Sequence, residues 1–177
     1  MYSLTIGEIN NIKKLLDNND QYDYFIETGT FIGETLDNLR FYFKKLRSVE
    51  LLQQFFDITT EKKIAQNWNN VELYLGDSSN LLSTMIEGLD NNVIFFLDGH
   101  RSGGVSSDIN KDCPLLEELT IIKEQRSKYN DIIIIDDFRM FGTNANENWS
   151  DITINNISKL IDGKKHFEFN DRYIIGS

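Results

Sequence analysis

Short apolar runs alternate with stretches of helical periodicity along most of the chain. The runs at residues 24–26, 48–50, 71–75, 92–97 and 131–135 have the length and composition of strands. Between these runs, apolar residues recur three or four positions apart, as they do on the buried face of a helix. Strands that alternate with helices predict right-handed crossovers and a parallel sheet that is covered on both faces.

The predicted helices lie at residues 4–17, 32–46, 53–67, 81–89, 115–129 and 152–161. In the third of them, the predicted inner face is Phe56, Thr60, Ile64 and Trp68. Two last strands, at 166–169 and 172–175, flank a turn and predict a hairpin. We therefore expect an α/β fold with a doubly wound, mostly parallel seven-stranded sheet and a C-terminal antiparallel hairpin, in one domain spanning residues 1–177.

Composition narrows the classes of function. The chain has 177 residues, of which 40% are hydrophobic and 26% charged, as in an average globular domain. A net charge of −10 disfavours a nucleic-acid partner, which needs a basic face. The single cysteine, Cys113, is read as structural, and no apolar run is long enough to span a bilayer. We expect a cytoplasmic protein that acts on a small molecule or glycan, without nucleic-acid or membrane partners, and that can pair as a homodimer.

An acidic residue stands at the exit of each of the first five predicted strands. These residues are Glu27, Glu50, Asp77, Asp98 and the pair Asp136-Asp137. In an open α/β sheet the ligand lies outside the carboxyl ends of the strands. Aspartate and glycine are ordinary turn residues, but a purely structural sheet does not need an acid at every exit. The pattern therefore predicts a ligand site at this edge.

The first three exits favour a ligand that contains a nucleoside. Glu27 precedes the turn Thr28-Gly29-Thr30-Phe31-Ile32-Gly33, which leads into a helix and lets a ligand approach the backbone. Glu50 follows Gly29 by about twenty positions, where an acid holds ribose hydroxyls. Asp77, with Ser78 beside it, is a candidate acceptor for an adenine amino group. The alternative for Asp77 is an N-cap of the next helix.

A second group of acids follows the fourth and fifth strands. Asp98, Asp136 and Asp137 would crowd together at adjacent strand ends, and crowded carboxylates favour a hard cation such as Mg²⁺. In the alternative, Asp137 caps a turn and only Asp136 points inward. His100 is a candidate general base, because imidazole titrates near neutral pH, and Asp98 is a second candidate for this role.

Arg101 and Arg139 follow these two acidic groups directly. Either arginine is a candidate to bind an anionic substrate through two parallel hydrogen bonds. The alternative is that each of them neutralises the neighbouring aspartates.

Taken together, these motifs resemble the class I S-adenosylmethionine-dependent methyltransferases over residues 24–142. The resemblance is carried by Phe25-Ile26-Glu27-Thr28-Gly29-Thr30, Leu97-Asp98-Gly99-His100-Arg101-Ser102-Gly103-Gly104, Cys113-Pro114-Leu115-Leu116-Glu117-Glu118-Leu119 and Ile135-Asp136-Asp137. The combination is similar to a compact methyltransferase-like set and, more distantly, to the macrocin-type sugar O-methyltransferases. Phe31 departs from the family pattern, since it replaces the usual middle glycine of the turn.

The resemblance implies a Rossmann-like methyltransferase fold that binds S-adenosylmethionine. The cofactor residues that it implies are Glu27, Thr28, Gly29, Thr30, Gly33, Glu50, Asp77, Ser78 and Asp98. The sugar O-methyltransferases add Mg²⁺ on Asp98, Asp136 and Asp137. The expected function is methyl transfer to a hydroxyl of a sugar or another small polar molecule. The alternatives are a nicotinamide-dependent oxidoreductase, which lacks support because no Gly-x-Gly-x-x-Gly follows the first strand, and a non-catalytic cofactor-binding partner subunit.

Overall fold

The computed structural model describes residues 3–99, 113–144, 147–161 and 163–176. Its strands are β1 (Tyr24–Thr28), β2 (Lys45–Glu50), β3 (Val71–Leu75), β4 (Val93–Leu97), β5 (Ile132–Ile135), β6 (Lys165–Phe169) and β7 (Arg172–Gly176). Its α-helices are α1 (Ile6–Leu15), α2 (Glu34–Leu39), α3 (Gln53–Ala65), α4 (Ser78–Ile86), α5 (Leu115–Arg126) and α6 (Ile154–Ser158), with a 3₁₀ helix at Phe138–Met140. No helix in these ranges is long and apolar enough to cross a membrane.

The strands form one seven-stranded sheet in the order β3-β2-β1-β4-β5-β7-β6. The first five strands along the chain pair in parallel, while β7 is antiparallel to both β5 and β6. Asn170 and Asp171 join β6 to β7 with φ of 52° and 60°, the left-handed backbone that a two-residue hairpin turn requires. The predicted doubly wound, mostly parallel sheet with its C-terminal hairpin is confirmed.

Both faces of the sheet are buried, which explains why its central strands are apolar throughout. In β4, Val93, Phe95 and Leu97 contribute to one core, while Ile94 and Phe96 contribute to the other. Helices α4, α5 and α6 cover the first face, and α1 and α2 cover the second. An apolar run without alternation therefore indicates a strand between two helical layers.

The helix predicted over residues 32–46 is wrong in its second half. Helix α2 ends at Leu39, and β2 begins at Lys45. Phe43 and Leu46 are buried, as their helical spacing predicted, but Leu46 lies in a strand. Phe43 packs in the intervening turn, where its ring lies 5.4 Å from the ring of Phe25. The spacing therefore predicted correctly that these residues are buried, but it predicted the wrong secondary structure for them.

The predicted inner face of α3 is only partly right, because Phe56 and Thr60 are half-buried but Ile64 is not. Ile64 is 70% exposed, and the buried residue of this helix is Thr59. Trp68 is buried, but it lies beyond the end of the helix. Helix α3 packs beside β2 and β3 at the edge of the sheet, where it buries little, so its sequence carries only a weak apolar stripe.

Candidate functional site

The strand order reverses between β1 and β4, and the candidate site lies there. The last residues of these strands, Thr28 and Leu97, pair in register. The next amide along, that of Asp98, donates to the carbonyl oxygen of Thr28 at 3.0 Å. In open α/β sheets the ligand crevice lies outside the strand ends at such a switch point. The predicted edge and the switch point coincide.

Two glycines of the turn after β1 allow close packing that no side chain would permit. Gly29 has φ of 86°, and a Cβ on it would lie 2.3 Å from the carbonyl oxygen of Asp98. Gly33 has φ of 73°, and a Cβ there would lie 2.8 Å from Cγ2 of Thr59. Gly29 therefore lets the turn pack against the end of β4, and Gly33 lets the start of α2 pack against α3.

Phe31, which replaces the expected middle glycine, keeps the left-handed backbone of that position. Its φ is 48°, a conformation that bulky residues rarely adopt. Its amide donates to Glu50 Oε2 at 2.8 Å, and its carbonyl oxygen accepts the Thr59 hydroxyl at 2.9 Å. Its ring packs on Phe55, with ring centroids 4.5 Å apart. These contacts hold the glycine-like turn without the glycine.

Glu50 ties the end of β2 to this turn. Its Oε2 accepts the Phe31 amide, and its Oε1 accepts the Leu52 amide, each at 2.8 Å. The carboxylate is therefore fixed beside the turn in a buried position. Each carboxylate oxygen can accept more than one hydrogen bond, so the placement suits an acid that holds vicinal hydroxyls.

Glu27 lies beneath the turn rather than on its surface. Its carboxyl group is buried and accepts the Ser48 hydroxyl at 2.6 Å, and Ser48 also shares a 2.6 Å hydrogen bond with Thr30. Burial raises the pKa of Glu27 to about 8, so it is mostly protonated at neutral pH. Glu27 thus supports the turn from inside, and its contact with a cofactor stays a prediction.

Replacing Glu27 by glutamine is expected to weaken the pH dependence of stability. Burial raises the pKa of Glu27 from 4.5 to about 8, so between these values the folded chain binds more protons than the unfolded chain. Stability must therefore fall as pH rises through this interval. Glutamine cannot titrate, so Glu27→Gln should lose less stability than the wild type between pH 5 and pH 8. Urea unfolding at both pH values measures this, and an unchanged difference would contradict the assignment.

Asp77 caps α4, which is the alternative that the sequence left open. Its carboxylate accepts the Ser79 amide at 2.9 Å and the Ser79 hydroxyl at 2.6 Å. The helix therefore begins at Ser78, earlier than predicted, and Ser78 is buried. A role for Asp77 and Ser78 in contacting adenine stays a prediction.

The magnesium site predicted on Asp98, Asp136 and Asp137 is not supported. Among the described residues, no group of three His, Cys, Asp or Glu side chains is arranged to hold a metal ion. Asp136 Oδ1 accepts Arg172 Nε at 2.9 Å, and Asp137 pairs with Arg139 at 2.6 Å. Guanidinium groups supply the positive charge that the crowding argument assigned to a cation, so these residues do not fit Mg²⁺.

The structure agrees with the alternative role that the sequence left open for Arg139, which is to neutralise neighbouring aspartates. Its guanidinium contacts both Asp137 and Asp171, and it therefore neutralises two aspartates. Binding of an anionic substrate by Arg139 stays a prediction. His100 and Arg101, the predicted base and the second predicted substrate residue, lie outside the described residues.

Sequence reasoning missed Glu118, although a signal for it exists. Glu118 lies on α5 and is 1% exposed, and burial raises its pKa to about 7. It stands three positions after Leu115 and four before Ile122, both of which face the core. An acid on the apolar face of a predicted helix indicates a buried carboxyl group that needs an explanation.

No protein-family model and no curated protein sequence matches this chain. A candidate methyltransferase from Streptococcus mutans, in complex with SAH (S-adenosylhomocysteine), is 16% identical with a TM-score of 0.64, over 99% of this chain and 97% of that one. An rRNA methylase from Streptococcus thermophilus is 15% identical with a TM-score of 0.59, over 99% and 96%. The O-methyltransferase TomG from Streptomyces achromogenes, in complex with SAM (S-adenosylmethionine) and involved in tomaymycin synthesis, is 12% identical with a TM-score of 0.60, over 99% and 89%. The chain has the Rossmann-like fold of these methyltransferases.

Proposed function

We propose that this chain is an S-adenosylmethionine-dependent methyltransferase that methylates a hydroxyl group of a sugar or another small polar molecule. The observation that carries the proposal is the junction between β2 and the turn after β1. There, Glu50 holds the Phe31 amide while the turn keeps its left-handed backbone at the switch point of the sheet. An acid beside a glycine turn suits a ligand that contains a nucleoside, because the acid can accept the ribose hydroxyls and the turn lets the ligand approach the backbone.

The residues present fit the cofactor. Glu50 offers carboxylate oxygens to ribose hydroxyls, and Asp77 and Ser78 lie at the next strand exit, where we assign adenine. Gly29 keeps the turn after β1 free of a Cβ, which would lie 2.3 Å from the carbonyl oxygen of Asp98, so the turn can lie close against the end of β4. The bound cofactor supplies the methyl group that is transferred. The chain's contribution is to hold donor and acceptor in line, which lowers the entropic part of the barrier.

The proton of the acceptor hydroxyl needs a base. Asp98 follows β4 at the switch point and is 7% exposed, and His100 comes two residues later in the sequence. We assign the proton to one of these two side chains. No step is assigned to Mg²⁺, because Asp136 and Asp137 are paired with arginines.

A small polar acceptor fits the charge of the chain better than RNA does. One solved neighbour is an rRNA methylase, but a net charge of −10 disfavours the broad basic face that phosphate contacts need. Another neighbour is an O-methyltransferase, which agrees with a hydroxyl acceptor. A nicotinamide-dependent enzyme remains the rival that a binding experiment must exclude.

Calorimetric titration with S-adenosylhomocysteine tests the proposal. We expect binding with a dissociation constant on the order of micromolar and no comparable binding of NAD. The affinity should be equal with and without Mg²⁺, because two of the three candidate metal ligands, Asp136 and Asp137, are paired with arginines. Methyl transfer to a panel of sugars and nucleotide sugars then tests the acceptor. Absence of S-adenosylhomocysteine binding would overturn the methyltransferase function. Binding without transfer to any acceptor would favour the non-catalytic partner subunit.

A further inference from the structure

Strand β6 forms an open edge of the sheet. It is the last strand in the sheet order and pairs on one side only, with β7. At the opposite edge, helix α3 packs beside β2 and β3, whereas β6 packs chiefly against β7. Three of its five residues, Lys165, His166 and Glu168, are exposed. An edge of this kind presents backbone donors and acceptors that a strand of another chain can bind.

The hairpin determines which backbone groups of β6 point outward. Phe169 pairs with Arg172 across the two-residue turn. The pair that closes such a turn exchanges two backbone hydrogen bonds, and bonded pairs then recur at every second residue of an antiparallel ladder. Phe167 and Phe169 therefore bond to β7, and the backbone groups of His166 and Glu168 point away from it. These outward groups are the ones that a further strand would bond.

The side chains along this edge alternate between the two faces of the sheet. Glu168 pairs in register with Tyr173, so both lie on one face, and His166 lies on that face as well. The Tyr173 hydroxyl and His166 Nδ1 share a 2.6 Å hydrogen bond, which fixes the imidazole ring. When the hydroxyl is the donor, the ring proton lies on Nε2, from which it can be donated to a carboxylate. Phe167 lies on the other face and is half-buried.

A second copy of β6, antiparallel to the first and centred on Phe167, complements this edge. In that register His166 lies opposite Glu168 of the second copy, and two-fold symmetry repeats the pair. Both positions have outward backbone groups, so the two pairs exchange about four backbone hydrogen bonds in all. Each pair also places an imidazole beside a carboxylate. On the other face, Phe167 lies opposite Phe167 of the second copy, an aromatic pair that stabilises neighbouring strands.

Neighbouring registers of the same pairing are less favourable. Centring it on Glu168 places two carboxylates directly opposite each other, where they repel. Centring it on His166 places two imidazoles opposite each other and separates His166 from Glu168 of the second copy. A register that pairs His166 with Phe167 opposes an outward-bonding residue to an inward-bonding one. Charged side chains usually keep edge strands apart, but here they complement a second copy of the same strand in one register.

We propose that β6 is the interface of a two-fold homodimer, in which the seven-stranded sheets of two copies join into one continuous sheet. The inference is independent of the proposed function, because no residue of the cofactor turn takes part. The strands that pair are only five residues long, and each copy carries a net charge of −10. A short interface between two acidic chains should be reversible, with a dissociation constant on the order of 10 μM.

Sedimentation equilibrium of the full chain over a range of concentrations tests this interface. The wild type should show a monomer–dimer equilibrium. His166→Glu places a carboxylate opposite Glu168 of the second copy at both pairs, so it should weaken association by at least about 10-fold. Adding Glu168→Lys to His166→Glu makes the opposed charges complementary again and should restore association. Because the double variant also lacks the imidazole, its recovery cannot come from the hydrogen bond to Tyr173.

Two further variants keep the test decisive. Ile64→Glu adds the same charge on α3, at a residue that is 70% exposed beside the opposite edge of the sheet, and should associate as the wild type does. Glu168→Pro removes an outward amide and no hydrogen bond to β7, a position where edge strands tolerate proline, so it should stay folded and remain monomeric.

The contrary results are equally definite. A wild type that stays monomeric at a concentration on the order of 100 μM, well above the expected dissociation constant, overturns the proposal. So does a dimer that His166→Glu and Glu168→Pro leave intact, or one that Ile64→Glu dissociates, because the interface then lies elsewhere. Failure of the double variant to associate rejects the pairing of His166 with Glu168.

Discussion

Asp131→Asn is expected to lower the free energy of unfolding by about 3–5 kcal/mol, the cost of leaving a buried charge without its partner. The side chains of Asp131 and Arg126 are each 2% exposed. Arg126 donates to Asp131 Oδ2 at 2.8 Å and to Oδ1 at 2.9 Å, in the parallel two-bond geometry that is strongest for this pair. Asp131 Oδ1 also accepts the Val93 amide at 2.8 Å, at the first residue of β4.

The same network explains why the effect should exceed that of an ordinary ion pair. Arg126 also donates to the carbonyl oxygens of Leu89 and Asn91 at 2.7 and 2.6 Å, so it joins the end of α5 to the loop that enters β4. An asparagine at position 131 would leave the guanidinium buried and charged, with only neutral acceptors. The loss of Asp131 therefore disturbs two segments of the central sheet.

Asp17→Asn is the matched control, since it makes the same chemical change in an exposed pair. Asp17 is 93% exposed and lies 3.7 Å from Lys165, and asparagine tolerates its left-handed backbone as well as aspartate does. Exposed pairs contribute little to stability, so urea unfolding should detect no change for Asp17→Asn. A comparable loss in both variants, or a loss below about 1 kcal/mol for Asp131→Asn, would contradict the role of the buried pair.

The sheet was predictable because its signals are local. The apolar run at 92–97 predicted a strand that is buried on both faces. The turn Asn170-Asp171 between two short runs predicted a hairpin. The helix at 32–46 was not predictable from its spacing, because Phe43 and Leu46 are buried by different elements. A periodic apolar pattern predicts which residues are buried. It predicts their secondary structure correctly only when all of these residues belong to one helix or strand.

The candidate site was predictable in position and only partly in chemistry. Strand-end acids marked the edge of the sheet that holds the switch point, but their partners are distant in sequence. Arg172 donates to Asp136, 36 residues before it, and to Glu8, 164 residues before it. No local pattern shows that an arginine in the last strand will occupy an acid that seemed suited to a metal ion. Glu118 was missed for the opposite reason, because its helix was identified but its polar residue on the apolar face was not questioned.

Gly29→Ala is expected to weaken S-adenosylhomocysteine binding by about 10-fold or more, since a shift of about 1 Å in a positioning segment can cost that much. A Cβ at this position would lie 2.3 Å from the carbonyl oxygen of Asp98 and 2.8 Å from its carbonyl carbon. These atoms belong to the backbone, so no side chain can rotate away. The turn or the end of β4 must move, and both belong to the proposed cofactor site.

Gly88→Ala separates this clash from the general penalty of a left-handed alanine. Gly88 has φ of 75°, close to the 86° of Gly29, and a Cβ on it would meet nothing within 4 Å. Both variants therefore carry the left-handed cost of about 1–2 kcal/mol, and only Gly29→Ala adds the contact with Asp98. Thermal unfolding should show a larger loss for Gly29→Ala, and calorimetry should show weakened binding for that variant alone. Equal affinities in two folded variants would mean that the turn after β1 does not position the cofactor, because a displaced turn that binds as well as the native one cannot be the element that fixes the ligand.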